Sequence, residues 1–346
     1  MKGLMSYSGL TTKIRAMQSR LLKNENFREI VELPNVPAAV AYLKQKPSYA
    51  PLLNAAGDHE LHRGDIEKIL RQSVYLDFAK LYSFANLGQR KFLAMYFMRY
   101  EIYFLKVCLT NIFDHRNVPM DLSAFEAFFT KHSKLDFQLL TASRTPEEFR
   151  ANLKGSGYYE PLSAVEKMEK PTLFDYEMTL DLSYFQTLWK NREKIVGKGE
   201  AKGLEKILGS KFDMLNLQWI HRCKQYYHME SSDIYALLIP VNYRISRQQI
   251  RDMVEAEDVN ALESVISQTY YAKHFEHYTE STLESKYAEI MKYILNSQSR
   301  QDPYSVTTVY SYLYHKEHEV DRLIIALECV RYQVPPDEAM THVACR

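Results

Sequence analysis

Apolar residues recur along this 346-residue chain mainly at intervals of three and four, the period of helices buried along one face. Leu10, Ile14, Met17, Leu21 and Leu22 form one such stripe, with Lys13, Arg15 and Arg20 off it, and predict an amphipathic helix over 10–22. Pro34 and Pro37 bracket a break, a helix is expected over 36–43, and Pro47 to Pro51 form a turn. A long helix then runs from near Asp65 to Leu81 through Ile66, Ile69, Leu70, Val74 and Phe78, punctuated by Gly88; another follows over 90–113 and closes at Pro119. Thr145-Pro146-Glu147-Glu148 reads as a helix opening, with Thr145 as cap and proline in the first turn, where its missing N–H costs nothing. Gly155-Ser156-Gly157 and Pro161 mark a loop, 181–195 reads as helix through Leu182, Phe185, Leu188 and Trp189, and the glycines of 197–203 predict a flexible connector. Ser246 opens a helix over 247–254, a Tyr-rich helix covers 284–295, and Asp302-Pro303-Tyr304-Ser305 opens the last long helix, which Pro335 and Pro336 end.

Three of these segments share a pattern, an acid with leucine at the fourth place beyond it: Glu101-Ile102-Tyr103-Phe104-Leu105, Asp213-Met214-Leu215-Asn216-Leu217 and Glu319-Val320-Asp321-Arg322-Leu323. The acids are 112 and 106 residues apart, and a cysteine and a tyrosine follow the last two at matching offsets (Cys223 and Tyr226, Cys329 and Tyr332). This register predicts three related helical units, 1–125, 126–242 and 243–346, each longer than a solenoid repeat. Each acid shares a helical stripe with apolar residues: Glu101 with Leu105, Leu109 and Ile112, Asp213 with Leu217 and Ile220, Glu319 with Leu323, Leu327 and Val330. A carboxylate on an apolar face needs partners. The preferred reading is that each accepts hydrogen bonds from a loop or pairs with a basic side chain, fixing how two helices meet; the alternative is that the three face a shared axis and touch a partner. Neither reading is catalytic.

Composition agrees with a folded, helix-rich chain: 46% of residues are apolar, 25% are charged, and there are only 11 glycines and 12 prolines. The length calls for two or three cores. A net charge of +1 gives no general attraction for nucleic acid or anionic lipid. No apolar run approaches the ~20 residues that span a bilayer. Ser6, Ser8, Thr11 and Thr12 stand where a signal peptide would be apolar, so cytoplasmic residence is expected. Cys108, Cys223, Cys329 and Cys345 lack CxxC spacing, and the first three fall in apolar helical patterns, as reduced buried thiols do.

Other motifs are weak. The stretch 197–203 has the composition of a phosphate loop but lacks the Gly-Lys-Ser/Thr ending, so a solvated linker is the preferred reading. His59 with His62, His274 with His277, and His315 with His318 and Glu319 have spacings that could face a metal, yet none is HExxH and 11 histidines produce such pairs by chance. The clusters Tyr226-Tyr227, Tyr270-Tyr271 and Tyr310-Tyr312-Tyr314 lack the basic stripe of a nucleic-acid surface and suit core or interface packing. No catalytic, cofactor or metal residue is assigned; Glu101, Asp213, Asn216, Arg222 and Glu319 are the candidate structural or partner-contact residues.

Taken in order, the motifs resemble the C subunit of bacterial and archaeal V/A-type rotary ATPases, a family related to the d subunit of the vacuolar enzyme. The resemblance is carried by Tyr7 with Lys13-Ile14-Arg15-Ala16-Met17 and Leu21-Leu22, and by Leu153-Lys154-Gly155-Ser156-Gly157-Tyr158. It continues in Phe212-Asp213-Met214-Leu215-Asn216-Leu217 with Arg222 and Lys224, and in Pro303-Tyr304-Ser305, Tyr312-Leu313, Lys316-Glu317 and Glu319-Val320. Arg322, Ile324 and Val330-Arg331 depart from the family pattern, which has asparagine, a basic residue and Gly-Lys there. The resemblance implies an all-α, three-lobed, pseudo-threefold funnel that does no chemistry and takes no cofactor. Its implied partners are the rotor shaft and the membrane proteolipid ring, with membrane association only through that ring. The competing expectations are a helical scaffold with soluble partners only, and a metal enzyme built on His315, His318 and Glu319.

Overall fold

The computed structural model describes residues 2–57, 61–115, 123–274 and 283–344, and among them carries eighteen α-helices, one 3-10 turn and no strand. His59, Pro119, His277 and Cys345 lie outside the described residues.

The first helices are α1 (Lys2–Gln18), α2 (Asn24–Val31), α3 (Val36–Leu43), α4 (Ala50–Ala55), α5 (Arg63–Phe84) and α6 (Leu87–Phe113). The expected helix over 10–22 starts earlier and stops at Gln18, because the N–H of Leu22 is given to a side chain of another helix rather than to a helical carbonyl. Gly88 lies inside the first turn of α6, and the break falls instead at Ala85, whose backbone is extended. Next come α7 (Ser123–His132), α8 (Phe137–Ala142), α9 (Pro146–Asn152) and α10 (Tyr159–Val165), then α11 (Leu173–Val196) and α12 (Lys198–Gln225). Pro161, expected in a loop, sits in the first turn of α10, where no helical acceptor awaits its missing N–H. Thr172 opens α11 well before residue 181 through a capping box with Asp175.

The expected linker 197–203 is not a linker. Gly197 alone takes a left-handed conformation (φ 79°) as it turns the chain between α11 and α12, and Lys198 already belongs to the helix. Two more glycines cost this helix about 1 kcal/mol each, but Ala201, Leu204, Ile207 and Leu208 are buried and hold it in place. The chain continues through α13 (Ser231–Leu237), α14 (Arg247–Val254), α15 (Val259–Ile266), a 3-10 turn (Ala272–His274), α16 (Leu283–Gln301), α17 (Val306–Arg331) and α18 (Pro336–Ala344). Ser305 caps α17, as its sequence suggested, and the prolines that follow α17 open α18.

The element order recurs three times. A pair of short helices (α2 and α3, α8 and α9, α14 and α15) is followed by a tyrosine (Tyr49, Tyr158, Tyr271), a short helix or turn beginning at the next residue, and two long helices. The second short helix of each pair is capped by a side chain: Asn35 accepts from the Ala38 N–H, Thr145 from Glu148 and Asp258 from Ala261. Each acid-bearing long helix (α6, α12, α17) is followed by a non-glycine residue with positive φ, His115, His228 or Gln333.

By packing, the chain falls into two compact units. One comprises Met1–Asn86 and His274–Arg346 and is organised around α17, which packs against α2, α5, α16 and α18. The other, Leu87–Lys273, has α11 packed between α6 and α12. Its core includes a cluster of Phe97, Phe104, Phe125, Phe128, Phe129 and Phe137, with Phe104 stacked on Phe137 at 4.5 Å between centroids. Cys108, Cys223 and Cys329 are free and buried, and among the described residues no helix is long and apolar enough to cross a membrane.

One glycine serves close approach. A Cβ on Gly209 of α12 would lie 2.3 Å from the Tyr243 ring, so Tyr243 can cross the helix only where no side chain exists. Gly209→Ala is expected to destabilise the chain by about 1–3 kcal/mol through overpacking, whereas Gly199→Ala, with open space around it, should not. Urea denaturation of both variants measures the contrast.

Candidate functional site

The three repeated acids occupy three closely similar clusters, each built from a mid-helix carboxylate, a tyrosine hydroxyl and a donor from a loop. Glu101, half-buried on α6, accepts from the Tyr158 hydroxyl at 2.6 Å and from the Ser133 hydroxyl. Asp213, buried on α12, accepts from the Tyr271 hydroxyl at 2.9 Å and from two successive backbone N–H groups, Tyr243 at 3.2 Å and Arg244 at 2.7 Å. Glu319, buried on α17, accepts from the Tyr49 hydroxyl at 2.5 Å, from the Leu22 N–H and from the Lys316 ammonium at 3.0 Å.

Local sequence explains each geometry. The tyrosines are buried, and each is the residue from which the next short helix starts, so the ring is pinned while its hydroxyl reaches the neighbouring helix. One turn before the acid, Ser210 reaches the Tyr271 hydroxyl and Lys316 reaches that of Tyr49 at 2.9 Å. One turn after Asp213, Asn216 satisfies both backbone groups of Ile239, donating to its carbonyl at 3.0 Å and accepting from its N–H at 2.9 Å. The matching place on α17 is Arg322, which donates to the Val343 carbonyl at 3.1 Å and to Asn24 at 2.9 Å while lying over the Phe27 ring at 4.0 Å. Arg322 thus also ties its helix to the backbone of a neighbouring segment.

Electrostatics follow burial. Removal from water pushes the Asp213 carboxyl up to about 6, against the pull of hydrogen bonds from Arg244, Tyr271, Tyr243 and Ile245. Glu101 is raised by the same cause, opposed by Ser133 and Tyr158. Tyr49, Tyr158 and Tyr271 are pushed far up, by burial first and by the adjacent carboxylate second, so all three remain hydroxyl donors at any physiological pH. Lys316 is fully buried beside Glu319 and lies 4.2 Å from the centre of the Tyr49 ring. A phenol held protonated and a carboxylate held by fixed donors form a joint between two segments.

The sequence-derived candidates divide accordingly. Glu101, Asp213, Asn216 and Glu319 are joint residues; Arg222 is exposed in the last turn of α12, on a different face from the Asp213 cluster. The histidine reading of α17 fails on geometry, because Glu319 is turned to Tyr49 and Lys316 while His318 stacks on Tyr314. Burial lowers both His315 and His318 to about 4, with Lys292 adding to each. Among the described residues no group of three His, Cys, Asp or Glu side chains could hold a metal ion. What sequence reasoning missed is the other half of each joint: Tyr49, Tyr158 and Tyr271, Ser133, and the N–H groups of Leu22, Tyr243 and Arg244. A signal existed, since the three tyrosines are 109 and 113 residues apart, close to the spacing of the acids.

Comparison with known proteins gives concordant matches. The family model described as ATP synthase (C/AC39) subunit matches residues 10–342. The C subunit of the A-type ATP synthase of Pyrococcus abyssi is 25% identical over 346 residues, covering 96% of this chain and 88% of the relative. Those of Pyrococcus horikoshii (26%, 96% and 88%) and Methanosarcina barkeri (26%, 93% and 88%) are similar in extent.

Two outcomes are expected. Glu319→Gln leaves the Lys316 charge buried without its counter-ion and should cost about 3–5 kcal/mol in urea denaturation, part of which Lys316→Met should restore. Asp213 has a raised folded pKa, so its contribution to stability is complete below the ordinary value of 3.8 and is lost as pH rises through about 6. The stability difference between the natural chain and Asp213→Asn should therefore fall by about 2 kcal/mol between pH 4 and pH 7. A flat difference across that window would mean that Asp213 titrates like an exposed carboxylate.

Proposed function

The chain belongs to the ATP synthase (C/AC39) subunit family, the C subunit of A/V-type rotary ATPases, and from that membership we propose that it is a non-catalytic central-stalk subunit. In this reading it is a socket that receives the rotor shaft on one side and the membrane proteolipid ring on the other. It passes torque between ATP hydrolysis or synthesis and proton or sodium movement. The family match over 10–342 carries the proposal. Its place is peripheral, on the cytoplasmic face of the membrane, attached through the ring.

The body fits a mechanical task. A torque-bearing part has to be stiff, and stiffness follows from close packing with polar groups fully satisfied. Each carboxylate joint ties the middle of a long helix to a separate segment through two or more hydrogen bonds. The recurring order of helices supports a division into three related units, 1–125, 126–242 and 243–346. Arg222, exposed near Tyr226 and Tyr227 at the end of α12, is the candidate partner contact.

Purification of the tagged chain from native membranes in mild detergent tests the reading. Co-purification of a proteolipid ring together with shaft and head subunits is the expected result, and recovery of soluble partners only would overturn it. Deleting the chain should leave head ATPase activity intact while abolishing ATP-driven ion pumping; pumping that stayed fully coupled would rule out the socket role.

A further inference from the structure

The three joints have a direction. Glu101 is met by Tyr158, 57 residues later in the chain, and Asp213 by Tyr271, 58 residues later. In both, the acid of one repeat is held by the tyrosine and loop donor of the next. Glu319 belongs to the third repeat. Its tyrosine and loop donor come instead from the beginning of the chain, Tyr49 and Leu22, 270 and 297 residues earlier.

A second feature runs the same way. The helix after each acid-bearing helix packs on that helix and on the first short helix of the next pair: α7 on α6 and α8, α13 on α12 and α14. C-terminal α18 stands in the same place after α17, and it packs on α17 and on α2. Where α7 leads into α8 and α13 into α14 through the backbone, α18 meets α2 across the two chain ends. The ends are joined there by side chains: Arg28 pairs with Asp337 at 2.6 Å, and Arg322 bridges the Val343 carbonyl and Asn24.

We propose that the repeats exchange segments cyclically, each handing its short-helix pair and tyrosine to the acid helix of the repeat before it, so that residues 22–55 fold as the closing piece of the third repeat. The sequence repeats are then offset from the folding units, and the N-terminal segment is the one exchanged piece with no covalent link to the element it completes. This joint is also the one among the three that buries a cation, Lys316, against its carboxylate. A charge-assisted, fully buried bond there takes the place of the peptide connection that the other two joints have. The proposal rests on the threefold division above but not on the rotor reading, because it concerns the isolated chain.

Hydrogen exchange of the full-length chain, read segment by segment by mass spectrometry, tests it with conservative variants that keep every ring. Tyr49→Phe is expected to speed exchange roughly tenfold in 22–55 and in α17 and α18, leaving α6 unchanged. Tyr271→Phe should do the same in 244–274 and α12, leaving α17 unchanged. Loosening that followed chain order instead, with Tyr49→Phe acting on α6 and Tyr271→Phe on α17, would overturn the cyclic exchange. So would a Tyr49→Phe variant in which 22–55 and α17 exchange as in the natural chain. If Glu319→Gln and Tyr49→Phe loosen the same segments and the double variant adds nothing, the joint acts as one unit; additive loosening would show two independent contacts and no closure.

Discussion

A carboxylate placed midway along a buried helix stripe is the constraint on which the rest of this structure depends. Backbone groups of the same helix are already paired, so the acid must find donors beyond its own helix backbone, and an unsatisfied buried carboxylate would cost several kcal/mol. Each of the three acids therefore selects the approach of a second segment and fixes its orientation through oxygen lone pairs rather than through apolar contact alone. Apolar faces tolerate sliding; hydrogen bonds of 2.5–3.2 Å to a phenol and a backbone N–H do not.

The tyrosine is the natural partner for this purpose. Its ring supplies buried apolar area, and its hydroxyl supplies one donor at a fixed distance from the backbone. Burial beside a carboxylate raises the phenol's affinity for its proton, so the donor is not lost in the physiological range. The loop donors vary because almost any N–H or O–H will serve: a serine hydroxyl for Glu101, two backbone amides for Asp213, and one backbone amide for Glu319, which also takes the Lys316 ammonium of its own helix.

Matching places on two of the acid-bearing helices do the same task with different chemistry. Arg322 ties α17 to the backbone of α18 and adds a stacked contact on Phe27. Asn216, at the matching place on α12, closes both backbone groups of Ile239. An amide and a guanidinium thus serve equally to hold a long helix to a neighbouring segment.

Periodicity and capping alone determined much of this protein: the all-α class, helix α3, helices α9, α14 and α17 with their opening residues, and the three acids on apolar stripes. These are local properties, readable because helical hydrogen bonds and caps join residues three or four apart. The glycines of 197–203 misled because composition cannot tell a linker from a helix held by buried Ala201, Leu204 and Ile207. Tertiary structure alone decided which donors meet the acids. Leu22 contributes only an N–H, which every residue but proline carries, and Tyr49 is one tyrosine among 26 until folding brings it across 270 residues to Glu319. Partners so distant leave no local pattern, because the contact is set by how whole helices pack and not by the residues beside it in the chain.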